Sequence, residues 1–365
     1  MLLERLSLAS FRNYTSLEWT PAPGLNLIVG ANAQGKSNLL EAIAMLATGK
    51  SFRTSRELEL IRSGSAIASV VGTARVASGT LNLACTVAAA GASSRKTYTI
   101  NGEGVRYARF LGSLKVVTFV PADVGLVGGP PSARRSMLNE ALSLADSRYY
   151  HHLARYRKAA MQKSAMLRGM SVDSDLLSIY NGEMIASGTE LILSRRHYLA
   201  STGDAAAGVY GHWIPGERFE VRYAPNVRYE APTEAAIAGE FERMLAEQRS
   251  AEMARKRCLV GPHRDDVELI LDGEPLARYG SQGQQRTGVL ALKLAEYEVL
   301  RDRSGEAPVL LLDDVLSELD AVRASALLSE LREIEQAFVT TTQGPERFAL
   351  PAQRWTVSAA SVSAC

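Results

Sequence analysis

Three short stretches carry residue types that can handle a triphosphate. The first, Gly30-Ala31-Asn32-Ala33-Gln34-Gly35-Lys36-Ser37, reads G-x-x-x-x-G-K-S. In such a loop the glycines let the backbone curl so that successive N–H groups converge on phosphate oxygens. Lys36 then reaches the β- and γ-phosphates, and Ser37 offers a hydroxyl to Mg²⁺. The second, Ser281-Gln282-Gly283-Gln284-Gln285-Arg286, puts a hydroxyl, a glycine and free N–H groups where a helix begins, with Ser281 as its N-cap. The third is Pro308-Val309-Leu310-Leu311-Leu312-Asp313-Asp314, two carboxylates at the end of an apolar run. There Asp313 is placed to hold the Mg²⁺ shell, and Asp314 to orient or deprotonate an attacking water. Taken singly, the third stretch is often no more than a strand end.

The surrounding residues supply the right scaffold for the first stretch. Leu25–Val29 is a short apolar run suited to a buried strand. Asn38-Leu39-Leu40-Glu41-Ala42 and the residues after it are good helix formers without proline, ending near Gly49. Strand, glycine loop and helix are therefore in the order phosphate binding needs. Arg12-Asn13 forms a turn just ahead of the loop, placed to touch phosphate or base; a solvated turn is the plain alternative. Asn38 joins the nucleotide-facing set.

The 365 residues are 46% hydrophobic and 22% charged, with a formal net charge of +2. That is globular composition for one large or two medium domains. Any nucleic-acid surface must come from local clustering, not global charge. Cys85, Cys258 and Cys365 lie far apart and form no C-x-x-C pair, which fits neither a disulfide framework nor a structural zinc site. No apolar run is long enough to span a bilayer, and Glu4-Arg5 spoil a signal-peptide reading, so a cytoplasmic protein without a membrane partner is expected.

Along the chain, residues 1–30 read as strands broken at Pro21 and Pro23-Gly24. Residues 67–119 are β-rich, with a hairpin signal at Asn101-Gly102. From Arg134-Arg135 to about Lys256 the spacing is mainly helical, with strand-like residues near 220–223. That region carries Arg148, Arg155, Arg157, Lys158, Lys163, Arg168, Arg195 and Arg196; for any one of them a solvated helix face is the simpler reading. Val267–Leu271 is a strand closed by Asp272-Gly273, and the helix after Ser281 is apolar on most sides, so it should be buried. The small polar tail from Ala359 to Cys365 is expected to be disordered.

The order of these motifs is similar to an ABC-type ATPase head. Further strings narrow the likeness: Phe11-Arg12-Asn13-Tyr14, Ser51-Phe52-Arg53-Thr54, Gly128-Gly129-Pro130 with Arg134-Arg135, Gly261-Pro262-His263-Arg264-Asp265-Asp266, and Ser317-Glu318-Leu319-Asp320. With these the chain resembles the RecF family of DNA replication and repair proteins, from the first strand to about residue 343.

The resemblance implies an α/β fold: a P-loop head, with a mixed sheet plus an antiparallel β subdomain, formed by residues 1–122 and 257–365. Residues 123–256 would be an inserted helical arm. It also implies ATP and Mg²⁺ as ligands, with Lys36, Asp313 and Asp314 catalytic and Ser37 and Asp313 on the metal. Gly30, Ala31, Asn32, Ala33, Gln34, Gly35, Lys36, Ser37 and Asn38, with Arg12 and Asn13, would hold the nucleotide. Ser281, Gln282, Gly283 and Gln284 would cap the γ-phosphate held by a second copy.

The implied protein dimerises on double-stranded and gapped or junction DNA when ATP binds and hydrolyses ATP slowly. It works with RecO and RecR to load recombinase in gap repair and replication restart. Ala31 and Ala33 stand where the family commonly has an acidic residue and a glycine, and Ala122 where it often has an acid. Thr340-Thr341-Thr342 replaces the histidine of transporter-type heads, leaving Thr341 or Thr342 as a γ-phosphate sensor. The rivals are a transporter-type nucleotide-binding subunit, a monomeric P-loop phosphotransferase, and a nucleotide-binding scaffold without turnover.

Overall fold

The computed structural model describes residues 1–169, 171–342 and 351–364. The N-terminal third opens with β1 (Leu2–Phe11) and β2 (Tyr14–Trp19), then β3 (Gly24–Val29) and α1 (Lys36–Thr48). It continues with β4 (Ile67–Val76), β5 (Gly79–Ala90), β6 (Ser93–Ile100), β7 (Glu103–Val105), a one-turn α2 (Tyr107–Phe110) and β8 (Val116–Phe119). The period-2 burial of β4 reflects one face on a core and one in water, and in β1 that alternation is interrupted by a register shift between Leu3 and Arg5. β3 is instead apolar and mostly buried, as a central parallel strand must be.

The middle of the chain holds α3 (Gly125–Gly128), α4 (Pro131–Ala145), α5 (Ser147–Leu167) and the 40-residue α6 (Ser174–Trp213). Then come β9 (Phe219–Ala224), α7 (Glu234–Arg255), β10 (Asp266–Leu271), β11 (Glu274–Pro275) and α8 (Leu276–Tyr279). α5 starts on an Asp146 side-chain cap and α7 on a Thr233 cap, which fixes where each helix begins. The chain closes with α9 (Gln282–Ser304), β12 (Val309–Leu312), α10 (Ala321–Glu330), β13 (Gln336–Thr341), β14 (Gln353–Ser358) and β15 (Ser361–Ala364).

Two compact units result. The first comprises Met1–Val124, His212–Pro215 and Val289–Cys365; the second, Gly125–Gly211 and Gly216–Gly288. Residues 257–288, expected with the head, group with the second unit because β10 pairs along its whole length with β9. The first unit holds an antiparallel sheet, β2-β1-β4-β5-β6-β7, and a sheet of order β15-β14-β3-β13-β12-β8. In the latter β14, β3, β13, β12 and β8 run parallel and only β15 is antiparallel. The second unit holds the small sheet β11-β10-β9.

The expectation of a disordered tail is corrected. β14 pairs with β3 and turns into β15, because β3 would otherwise leave a row of unpaired backbone groups on a sheet edge. Cys365 lies outside the described residues. Among the described residues no helix is long and apolar enough to cross a membrane.

Candidate functional site

The carboxyl ends of β3, β12 and β13 meet the start of α1, and a cavity of about 550 Å³ opens there. That size suits a small organic ligand. Asn32, Ala33, Gly35, Lys36, Ser37 and Asn38 line it, with Asp313, Asp314 and Thr340. Gly35 starts α1 with φ +119, and a Cβ there would lie 2.9 Å from both Asn13 Nδ2 and Tyr14 Oη. Only glycine fits this position. No side chain caps that helix start and its first turn holds no acid, so its N–H groups and dipole remain available to an anion.

Lys36 is nearly buried, and its ammonium donates to the carbonyls of Gly30 (2.7 Å) and Ala31 (2.9 Å). Burial pushes its pKa below the ordinary lysine value, while the charges of Asp314 and Asp313 push it back up. Gly30, Ala31 and Gln34 are not lining residues: the first two hold Lys36 from behind.

The acidic side is built around Asp313. Its Oδ1 accepts from Ser37 Oγ at 2.8 Å and from Thr340 Oγ1 at 2.7 Å. Thr340 in turn accepts from the Asp314 N–H at 2.9 Å. Asp314 sits at φ +49, ψ +28, a left-handed conformation that costs a non-glycine residue about 1 kcal/mol or more. Its Oδ1 is buried and has no hydrogen-bond partner, which marks it as an acceptor kept for something else. Of the three threonines, Thr340 lines the cavity; Thr341 is fully buried and Thr342 exposed. Thr340 was legible only as a strand residue, since its role comes from a register that aligns β13 with β12.

Arg12 and Asn13 form another wall. Arg12, itself at φ +54, makes a two-pronged pair with the fully buried Glu41 (2.8 and 2.6 Å), and its third nitrogen donates to the Glu59 carbonyl. Its guanidinium is thus committed to the protein. Asn13 donates to the Gln34 carbonyl at 3.1 Å and accepts from Asn38 at 2.8 Å. Glu59, Ile61 and Ser63 also line the cavity, unforeseen from the sequence because nothing in their types marks them.

An all-oxygen pair, Ser37 hydroxyl and Asp313 carboxylate, suits a hard cation such as Mg²⁺, which commonly takes one carboxylate plus substrate phosphates and water. Among the described residues there is no cluster of three or more His, Cys, Asp or Glu, so a transition-metal cage is not built here.

The Ser281 cluster belongs to the second unit. Ser281 Oγ accepts from the Gln284 N–H (3.2 Å) and Gln284 Oε1 accepts from the Ser281 N–H (2.8 Å), a reciprocal cap at the start of α9. Gln284 Nε2 donates to Glu217 at 2.9 Å. Ser281 and Gln282 are exposed, and Gly283 partly so.

In the same unit the Gly261–Asp266 string serves as a structural knot. Arg195, 2% exposed, donates to Asp265 Oδ2 and the Pro262 carbonyl, each at 2.6 Å, and to Asn139 at 2.9 Å. Arg134 forks onto Asp266 at 2.7 and 2.9 Å. Lys163 pairs with the equally buried Glu252. Two of the arm's basic residues, Arg195 and Lys163, are therefore internal, whereas Arg157, Lys158 and Arg168 are exposed.

The family model described as RecF/RecN/SMC N terminal domain matches residues 2–349. A DNA replication and repair protein RecF from Symbiobacterium thermophilum is 42% identical over 349 residues, covering 94% of this chain and 92% of that protein. One from Acaryochloris marina is 40% identical, covering 94% and 93%. A solved structure of the recombination mediator protein RecF-ATP in the RecFOR pathway superposes with a TM-score of 0.91 at 31% identity, over all of this chain and 97% of that one. A solved Smc head bound to a winged-helix domain of ScpA gives 0.57 at 16% identity, over 100% and 97%, a likeness of fold. The architecture is that of an ABC-type ATPase head.

Proposed function

Since this chain belongs to the RecF family of DNA replication and repair proteins, we propose that its cavity binds and slowly hydrolyses ATP to control assembly on DNA. The observation that carries this reading is the Ser37–Asp313–Thr340–Asp314 chain facing Lys36 across one cavity.

The N–H groups from Asn32 to Ser37 cradle the β- and γ-phosphates, and Lys36 exchanges its carbonyl partners for phosphate oxygens. Ser37 and Asp313 hold Mg²⁺, which supplies positive charge beside the phosphates being separated. Asp314, its Oδ1 unpaired and its backbone fixed by Thr340, orients the attacking water and accepts its proton. Ser281 and Gly283 of a second copy close over the γ-phosphate, so ATP joins two protomers. Their exposure at a capped helix start supports that assignment.

The dimer engages double-stranded and gapped DNA through exposed arm cations such as Arg157, Lys158 and Arg168, and works in the cytoplasm with RecO and RecR in recombinase loading.

Sedimentation velocity with ATP, with and without gapped duplex, tests the scheme. Wild type is expected to dimerise with ATP and to bind DNA with a steep salt dependence. Lys36→Ala should remain monomeric, Asp314→Asn should stay locked as a dimer, and Ser281→Arg should bind ATP yet fail to pair. Turnover independent of protein concentration, or Asp314→Asn hydrolysing at the wild-type rate, would overturn it.

A further inference from the structure

The C-terminal hairpin reaches the phosphate loop. Ala359 donates its N–H to Gln34 Oε1 at 2.7 Å, and Ala360 donates its N–H to the Gln34 carbonyl at 3.2 Å. Asn13 Nδ2 donates to the same carbonyl at 3.1 Å. We propose that the β14–β15 hairpin is part of the nucleotide site: a backbone clasp on Gln34 that aims the Gly35 N–H at the phosphates. This rests on the reading of the loop as a nucleotide site.

The aiming follows from peptide geometry. In a trans peptide the carbonyl oxygen of one residue and the N–H of the next point to opposite sides. Two donors, Ala360 of the hairpin and Asn13 of the turn between β1 and β2, fix the Gln34 carbonyl, so the Gly35 N–H is turned the other way. Gly35 lines the cavity and Gln34 does not. Without the clasp, that peptide would be free to flip, since glycine at φ +119 sits where rotation meets few steric barriers.

The hairpin is itself firmly held. β14 pairs in parallel with β3, from Gln353 opposite Asn26 to Thr356 opposite Val29. Trp355 Nε1 donates to Asn26 Oδ1 at 2.9 Å, and its ring meets Trp19 edge-on at 5.5 Å. A Cβ on Gly30 would lie 2.4 Å from the Val357 carbonyl oxygen. The first glycine of the loop is therefore required by the hairpin as well as by any ligand.

The turn residues point the same way. Ala359 and Ala360 have φ of +47° and +58°, the pattern of a two-residue turn that favours Asn-Gly. The turn's two N–H groups face out of the ladder and need acceptors, and both find Gln34.

The test compares Gln34→Met, Ala359→Pro and the double variant with Lys36→Ala. Readouts are equilibrium affinity for Mg-ATP by titration calorimetry, thermal unfolding, and amide exchange of a peptide covering residues 33–37. Gln34 is half-buried, so Met is accommodated. Each single variant is expected to weaken ATP binding about fivefold, the worth of one hydrogen bond, and to speed exchange at 33–37. The melting temperature stays unmoved in Gln34→Met, whereas Ala359→Pro, at a φ of +47° that proline cannot adopt, also opens the turn and lowers it. The double variant should lose no more than the larger single, because both changes open one clasp. Full affinity in both singles, beside Lys36→Ala that no longer binds, would sink the clasp and leave the nucleotide site standing. Full affinity in Lys36→Ala would remove the nucleotide-site reading, and the clasp with it.

Discussion

Thr340 donates its hydroxyl proton to Asp313 Oδ1 at 2.7 Å, and the Thr340 hydroxyl oxygen itself accepts the Asp314 N–H at 2.9 Å. One buried hydroxyl at the end of β13 thus fixes the side chain of one acid and the backbone of the next. Both acids follow β12, which lies beside β13 in parallel register.

Removing that hydroxyl with Thr340→Val leaves the Asp314 N–H without its acceptor and frees Asp313 to rotate. Steady-state kinetics should show turnover falling by about tenfold or more while ATP affinity changes little. Thr340→Ser, which keeps the oxygen, should restore most of the rate. Equal losses in Val and Ser would point to packing of the methyl group instead.

Ala33 occupies the phosphate loop at φ +63. An alanine there bears a left-handed penalty of about 1–2 kcal/mol that glycine does not, partly offset by glycine's larger chain entropy when unfolded. Ala33→Gly is expected to gain a few tenths to about 1 kcal/mol in stability. Thermal unfolding, with ATP titration beside it, measures the effect; a lowered melting temperature would contradict the strain assigned to this residue.

Arg195 and Asp265 are both about 2% exposed or less. Arg195→Met strands a buried carboxylate, which typically costs about 3–5 kcal/mol. Denaturant unfolding should show that loss in Arg195→Met, whereas Arg157→Met, an exposed neighbour in sequence type, should stay within about 0.5 kcal/mol. DNA affinity should respond in the reverse order, with Arg157→Met the more affected.

His263 is half-buried against Tyr156 and the Cys258 carbonyl, and desolvation there lowers its pKa to about 4 from the ordinary 6.5. The unfolded chain therefore binds a proton that the folded chain refuses between those values. Stability is fully present above about pH 6.5 and falls as pH drops toward 4, by at most about 1.4 kcal/mol per pH unit from this group. Unfolding midpoints of wild type and His263→Gln, followed from pH 7.5 to 4.5, should converge on acidification. Parallel curves would remove His263 from the acid response.

The sequence by itself determined the elements whose signals are local. A strand, a G-x-x-x-x-G-K-S loop and a helix must follow one another for Gly35, Lys36 and Ser37 to be neighbours, and that order is written in consecutive residues. Ser281 as a cap and Asp313-Asp314 at a strand end are legible for the same reason. Tertiary structure alone decided which distant groups complete the site. Thr340 reaches Asp313 only through the β12–β13 register, and Arg12 is committed to Glu41 because the turn between β1 and β2 meets the start of α1. Likewise Arg195 looks like any helical surface cation until it meets Asp265, 70 positions away. The tail looked too small and polar to order, yet β3 had an edge to fill and Gln34 had acceptors for its turn. Backbone hydrogen bonding recruits residues irrespective of side-chain type, so composition carries no trace of it.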